Sequence, residues 1–208
     1  MIAVIDYGMG NLRSVSKALE LLGHEVEVTR DPAKIGGADR VILPGVGAFG
    51  AAMDNLRRFD LVGVIEDVAA SGKPFLGICL GMQLFLKESE EQGVFEGLGL
   101  IPGRVVGFFQ EPDRNDYTAS LKIPHMGWNS IHIEKPAPLL TDIPDGSMVY
   151  FVHSFYPAPE ADVVAATTEH GIRFCSVIWK DNLQATQFHP EKSGAVGLKM
   201  LANFAGPA

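Results

Sequence analysis

The segment Gly77-Ile78-Cys79-Leu80-Gly81-Met82-Gln83 restricts the possible folds more than any other stretch of the chain. It follows the apolar run Pro74-Phe75-Leu76 and leads into residues 82–87, whose composition suits a helix, so the order is strand, tight turn, helix. A side chain displayed on so sharp a turn needs small residues two positions to either side, and Gly77 and Gly81 occupy those places. The Cys79 thiol then faces the first turn of a helix, where unpaired backbone N–H groups favour thiolate over thiol. Such a thiol is a candidate nucleophile. The competing reading is a small buried residue in an ordinary glycine turn, and a partner base elsewhere in the chain decides between them.

The first half repeats the same order of elements. Residues 2–6 form an apolar run fit for a buried strand, the turn Tyr7-Gly8-Met9-Gly10-Asn11 follows, and Leu12, Val15, Leu19 and Leu22 recur at helical spacing up to Gly23. Arg13 stands where a dinucleotide fingerprint needs its third glycine, so no such site is expected. A second strand is expected over 25–29, a loop from Asp31-Pro32, and a third strand over 40–43 that runs into Pro44-Gly45-Val46-Gly47. Helices are expected over 48–58 and 61–70. Strand, glycine-rich loop and helix in succession present backbone amides at the carboxyl edge of a parallel sheet.

Beyond the elbow the pattern changes. Glycines 93, 97, 99, 103 and 107 mark turns between short strands, residues 111–120 are polar enough for an exposed loop, and strands are expected over 147–152, 163–168, 174–179 and 183–188. Leu198, Leu201, Ala202 and Ala205 give a closing helix one apolar face. The expectation is an α/β fold in a single domain over 1–208, a mostly parallel central sheet flanked by helices, with additional antiparallel strands in the second half.

A net charge of −8 on 208 residues, without clustered Lys and Arg, excludes a phosphate backbone as principal partner and leaves a small molecule or a protein. No basic leader opens the chain and no apolar run approaches membrane-spanning length, so a cytoplasmic protein without membrane association is expected. Cys175 lies in a strand-like apolar run and reads as core. Two cysteines make no disulfide framework, and no metal-ligand spacing exists, so neither a metal nor another cofactor is expected.

The base is found at the end of the last expected strand, in Gln187-Phe188-His189-Pro190-Glu191. Residues two apart in an extended chain project to one side, which makes His189 and Glu191 neighbours. A carboxylate on one ring nitrogen fixes the tautomer whose other nitrogen exchanges a proton with a nucleophile. A strand-end thiol and a strand-end His/Glu pair in one α/β domain meet at the carboxyl edge of the sheet. His24, His132 and His170 read as surface residues, whereas His125 and His153 lie in aromatic segments that suit a site or an interface.

With the nucleophile motif around Cys79 and His189-Pro190-Glu191 in place, the chain resembles the class I (triad) glutamine amidotransferases. Within them it is similar to the glutaminase subunits of histidine biosynthesis, on Asp6-Tyr7-Gly8-Met9-Gly10-Asn11, Pro44-Gly45-Val46-Gly47, Pro124-His125-Met126-Gly127-Trp128-Asn129 and Tyr150-Phe151-Val152-His153-Ser154. The resemblance implies a flavodoxin-like sheet and hydrolysis of L-glutamine to glutamate and ammonia by Cys79, His189 and Glu191. It implies an obligate (β/α)8 cyclase subunit as partner, forming a heterodimer in which ammonia passes through an internal channel. Gly45, Val46 and Leu80 would supply the oxyanion hole, the Gly45-Val46 peptide turning inward when partner and ligand are in place. Gly47, Gln83, Glu91, Ser154 and Phe155 would line the glutamine pocket, and Asn11, Trp128 and Lys192 the partner interface. Relatives usually carry tyrosine at position 155, so a contact through that hydroxyl is not carried over. Glu91 also reads as part of a solvated acidic run, and Trp128 equally as core. A stand-alone amidase acting on γ-glutamyl compounds and a catalytically inert regulatory module are the alternative readings.

Overall fold

The computed structural model describes residues 1–108, 121–160 and 162–207. In chain order the elements are β1 (Ile2–Ile5), α1 (Leu12–Leu21), β2 (Val26–Thr29), α2 (Pro32–Gly37), β3 (Arg40–Gly45), α3 (Phe49–Arg58), α4 (Val62–Ala70), β4 (Phe75–Cys79), α5 (Leu80–Leu84) and β5 (Leu86–Ser89). They continue with β6 (Phe95–Glu96), β7 (Ile101–Gly107), β8 (His125–Ser130), β9 (His132–Ile133), β10 (Met148–His153), β11 (Phe155–Pro159), β12 (Val164–Glu169), β13 (Arg173–Lys180), β14 (Leu183–Thr186) and α6 (Gly194–Ala205). Short 3₁₀ turns lie at Pro138–Leu140 and Pro190–Lys192. The polar loop expected over 111–120 lies outside the described residues.

The main sheet has the order β2-β1-β3-β4-β14-β13-β12-β9. Its first five strands are mutually parallel, in the doubly wound order with a crossover reversal at β1 and β3. The last three join antiparallel, and β13 returns into β14 through the tight turn Asp181-Asn182. All four β1 residues are buried because both faces of the sheet are covered, which is why the strand reads as a continuous apolar run. Ala3 and Ile5 join one core with Leu43, Phe75 and the inner faces of α3 and α4, while Ile2 and Val4 join the opposite core with Val15, Leu19, Ile78, Met200 and Phe204. β11-β7-β5-β6 form a second sheet, and β8 with β10 an antiparallel ribbon. Among the described residues no helix is long and apolar enough to cross a membrane.

Three expectations are corrected. Asp31-Pro32 opens α2 rather than a loop: the Asp31 carboxylate accepts from Ala33 N and Pro32 occupies the first helical position, where its missing N–H is no loss. The helix expected over 82–87 ends at Leu84, because from Leu86 the chain pairs with β7 and β6, with Leu86 and Ser89 buried at the two ends of β5 and an irregularity in the β7 pairing between Leu86 and Glu88. The buried stripe of α6 is Gly197, Met200, Leu201, Phe204 and Ala205, which leaves Leu198 and Ala202 at its margin.

Candidate active site

Cys79 is the last residue of β4 and adopts φ 55°, ψ −110°, a left-handed conformation that costs a non-glycine residue about 1–3 kcal/mol. The packing around it accounts for the flanking glycines. A Cβ on Gly81 would lie 1.8 Å from the Leu43 carbonyl oxygen of β3, and one on Gly77 would lie 2.9 Å from the Gly81 backbone. The strand, the turn and α5 are therefore pressed together so that the thiol is held at the carboxyl edge of the sheet. In the adjacent strand Gly45 pairs with Cys79 in register, so the Gly45-Val46-Gly47 loop leaves the sheet beside the sulfur.

β14 lies on the other side of β4, with Thr186 opposite Ile78, and the chain passes through Gln187 and Phe188 to His189 on the same edge. His189 is fixed from three directions. Its N–H donates to Tyr150 O at 3.0 Å, its carbonyl accepts from Ser193 Oγ at 2.7 Å, and its Nδ1 meets Glu191 Oε1 at 2.8 Å. The two side chains are buried, with relative exposures of 1% and 0%. A Cβ on Gly197 would come within 1.9 Å of Pro190 O, so α6 packs closely under the turn that carries Glu191. Burial alone would lower the His189 pKa, but hydrogen bonding to Cys79 and Glu191 and their negative charge outweigh it and push it up to about 10. The Nε2 atom is buried, and among the described residues the Cys79 thiol is the one group it interacts with, at a separation longer than a regular hydrogen bond.

Cys79, Leu80, His189 and Val46 open onto a cleft of about 350 Å³ that is also lined by Gly47, Gln83, Glu91, Pro124, Val152, His153, Ser154 and Phe155. The Sγ atom donates to Val152 O at 3.9 Å and accepts from Gln187 Nε2 at 3.7 Å. A thiol that is both nearly buried and in contact with a cleft beside an imidazole and paired carboxylate is equipped for nucleophilic attack on a small carbonyl compound.

Residues 3–206 match the family model described as glutamine amidotransferase class-I. The chain belongs to the class-I glutamine amidotransferases. Curated relatives that match this amidotransferase over nearly its whole length are named imidazole glycerol phosphate synthase subunit HisH. The protein from Syntrophotalea carbinolica is 55% identical, with 98% of each chain covered. That from Geobacter metallireducens is 53% identical, covering 98% of this chain and 97% of the relative. Among solved structures, one described as glutamine amidotransferase has a TM-score of 0.73 at 18% identity, covering 99% of this chain and all of its own. PurLQS from Thermotoga maritima gives 0.73 at 20% identity, covering 98% and 96%. These two share the fold.

Every residue expected to line the glutamine pocket borders the cleft. Gln83 donates to Phe155 O at 2.9 Å and to Gln187 Oε1 at 3.0 Å, so position 155 contributes its backbone whatever its ring carries. Glu91 is not merely part of a solvated run: its Oε2 accepts from Phe49 N at the head of α3 at 2.8 Å. Trp128 is not core, being 54% exposed on β8, with Met126 and Met148 exposed on the same ribbon. Its ring edge comes within 4.0 Å of a Cβ position on Gly194, beside the turn that holds Lys192 and Glu191. Asn11 reaches that turn from the opposite side, donating to Glu191 Oε1 at 3.2 Å.

Three features of the amidotransferase escaped the sequence reading. Gln187 sits two residues before His189 and connects Gln83 with the thiol, a role visible only once β14 is placed beside β4. His125 and His153 bond to each other, Nδ1 to Nε2, at 2.9 Å across the ribbon, and His153 Nδ1 donates to Phe155 O at 2.9 Å. That direction makes His153 Nε2 the acceptor and His125 Nδ1 the donor. Both rings stay neutral: burial lowers His125 to about 4 and His153 to about 3. His170, expected on the surface, is half-buried and stacks on His125 with centroids 4.2 Å apart; His24 and His132 are half-buried as well. The third feature is the Tyr7 hydroxyl, buried beside Gly45 without a hydrogen bond among the described residues.

Proposed function

We propose that this amidotransferase is the glutaminase subunit of imidazole glycerol phosphate synthase, one domain over residues 1–208 that feeds ammonia to a (β/α)8 cyclase subunit. The full-length identity with relatives carrying that subunit name supports the assignment. The observation that carries the chemistry is the buried His189–Glu191 pair at 2.8 Å, which leaves Nε2 to interact with the Cys79 sulfur. The Cys79 thiolate, its proton already carried by His189, attacks the side-chain carbonyl carbon of L-glutamine, and the carbonyl π pair moves onto oxygen. As the tetrahedral species collapses the C–N bond breaks, and His189, protonated at neutral pH by its raised pKa, hands its proton to the departing ammonia. Water then adds to the thioester, giving its proton to the now neutral imidazole, and glutamate leaves with the sulfur restored.

The backbone N–H of Leu80 and one from Gly45 or Val46 stabilise the oxyanion, and a lost donor of this kind costs about 3 kcal/mol in the barrier. Gly47, Gln83, Glu91, Ser154 and Phe155 hold the amino-acid end of the substrate, with Glu91 facing its α-ammonium. Asn11, Trp128 and Lys192 meet the cyclase, which then converts the phosphoribulosyl-formimino nucleotide to imidazole glycerol phosphate and aminoimidazole carboxamide ribonucleotide. The test is glutamate formation by the purified complex with the cyclase and its nucleotide ligand. Wild type is expected to be active, Cys79→Ala inactive, and the isolated chain much slower than the complex. Full activity without partner would favour a stand-alone amidase.

A further inference from the structure

The residue at the head of α1 is in an unusual position for an asparagine. Asn11 occupies the N-cap, where a carboxamide oxygen ordinarily accepts from a backbone N–H one turn ahead. Here no such bond is made, and the backbone, at φ −87° and ψ 54°, lies outside the extended region of a capping residue. The side chain is turned away, and its Nδ2 donates to Glu191 Oε1 across 180 positions of sequence. The carboxylate that receives it has no exposed surface, and its other oxygen is buried without a hydrogen bond. Among the described residues its hydrogen-bond partners are thus His189 and Asn11, both on one oxygen.

We infer that Asn11 is a positioning residue of the triad, its carboxamide holding the Glu191 carboxylate in the orientation that presents Oε1 to His189. A carboxylate held by one donor alone rotates about its last side-chain bond, and the imidazole then loses the fixed partner that sets its tautomer. Asn11 is itself held in register by its carbonyl, which accepts from Val15 N at 3.1 Å, so α1 is the rigid support. The inference rests on the proposed glutaminase reaction and adds to it: an interface residue acts on the chemistry through Glu191.

Two substitutions separate this role from helix capping and from partner docking. Asn11→Ser and Asn11→Asp keep a good N-cap residue, but serine is too short to reach Glu191, and aspartate sets an acceptor against it. With cyclase titrated to saturation, Asn11→Ser is expected to lower kcat for glutamate release about ten-fold, with KM within about two-fold and an unchanged unfolding temperature, since one hydrogen bond to a charged group is lost. Asn11→Asp is expected to lower kcat about a hundred-fold or more, because two carboxylates then share one buried site. Wild-type kcat in both variants would overturn the inference, as would a loss that disappears at higher cyclase concentration or that follows a fall in the unfolding temperature of Asn11→Ser. A wild-type complex that releases no glutamate would overturn the functional reading itself and this inference with it.

Discussion

Replacing Gly81 with alanine tests the packing that displays Cys79. The added Cβ would lie 1.8 Å from Leu43 O, whereas a carbon and a carbonyl oxygen in contact stay about 3.3 Å apart, so roughly 1.5 Å must open between α5 and β3. Both sides of the contact are buried backbone and no flexible side chain can yield. Overpacking of this kind costs about 3 kcal/mol, and the better helix propensity of alanine returns up to about 1 kcal/mol. A net loss of about 2–3 kcal/mol lowers the unfolding temperature of a chain this long by about 5–10 °C. Gly63→Ala is the control: it lies in α4 with open space around the Cβ position, so the same substitution should be neutral or raise the unfolding temperature by a few degrees. Calorimetry on the three proteins reads the difference directly. A Gly81→Ala protein melting within about 2 °C of wild type would refute the argument that close backbone approach dictates glycine there.

Other consequences follow from the buried groups. His153 has a pKa lowered to about 3 from an unfolded value near 6.5, so the stability it contributes is present above about pH 6.5 and is lost as pH falls toward 3, at about 1.4 kcal/mol per pH unit. Urea midpoints for His153→Gln should therefore show an acid limb shallower by one proton. His189 has the opposite sign: raised to about 10, it stabilises fully below about pH 6.5 and its contribution is lost as pH rises through 10, so His189→Asn should flatten the alkaline limb. Glu191→Gln removes the charge that fixes the His189 tautomer, and steady-state assays of the complex should show kcat lower by on the order of 10³ with little change in KM. Gln187→Leu removes the donor to Sγ and the acceptor for Gln83, and kcat/KM for glutamine should fall about ten-fold.

The parts of the fold written in local pattern were legible in the sequence. β1, β3 and β4 are buried on both faces and read as apolar runs, and the glycines around Cys79 reported a close approach before the neighbour was known. What was missed depends on partners distant in the chain. Leu86 and Lys87 continue the helical composition of 82–87 locally but belong to β5 because β6 and β7 supply hydrogen-bond partners. Asp31-Pro32 was legible as a helix start and was read as a loop, since the pair also begins turns. Gln187, the His125–His153 bond and the turn of Asn11 toward Glu191 carry no local signal, because each is defined by a side chain on another element. The same holds for Trp128, whose exposure follows from the ribbon face it occupies.

In the proposed mechanism the Cys79 thiol becomes acylated by glutamine with His189 as its proton partner. The most direct measurement is acid quenching of the complex during turnover, followed by peptide mass analysis for a glutamyl thioester. The adduct is expected on the peptide containing Cys79 in wild type, strongly reduced in His189→Asn, and absent in Cys79→Ala. Glutamate release with no adduct at Cys79, or an adduct on the buried Cys175, would contradict it.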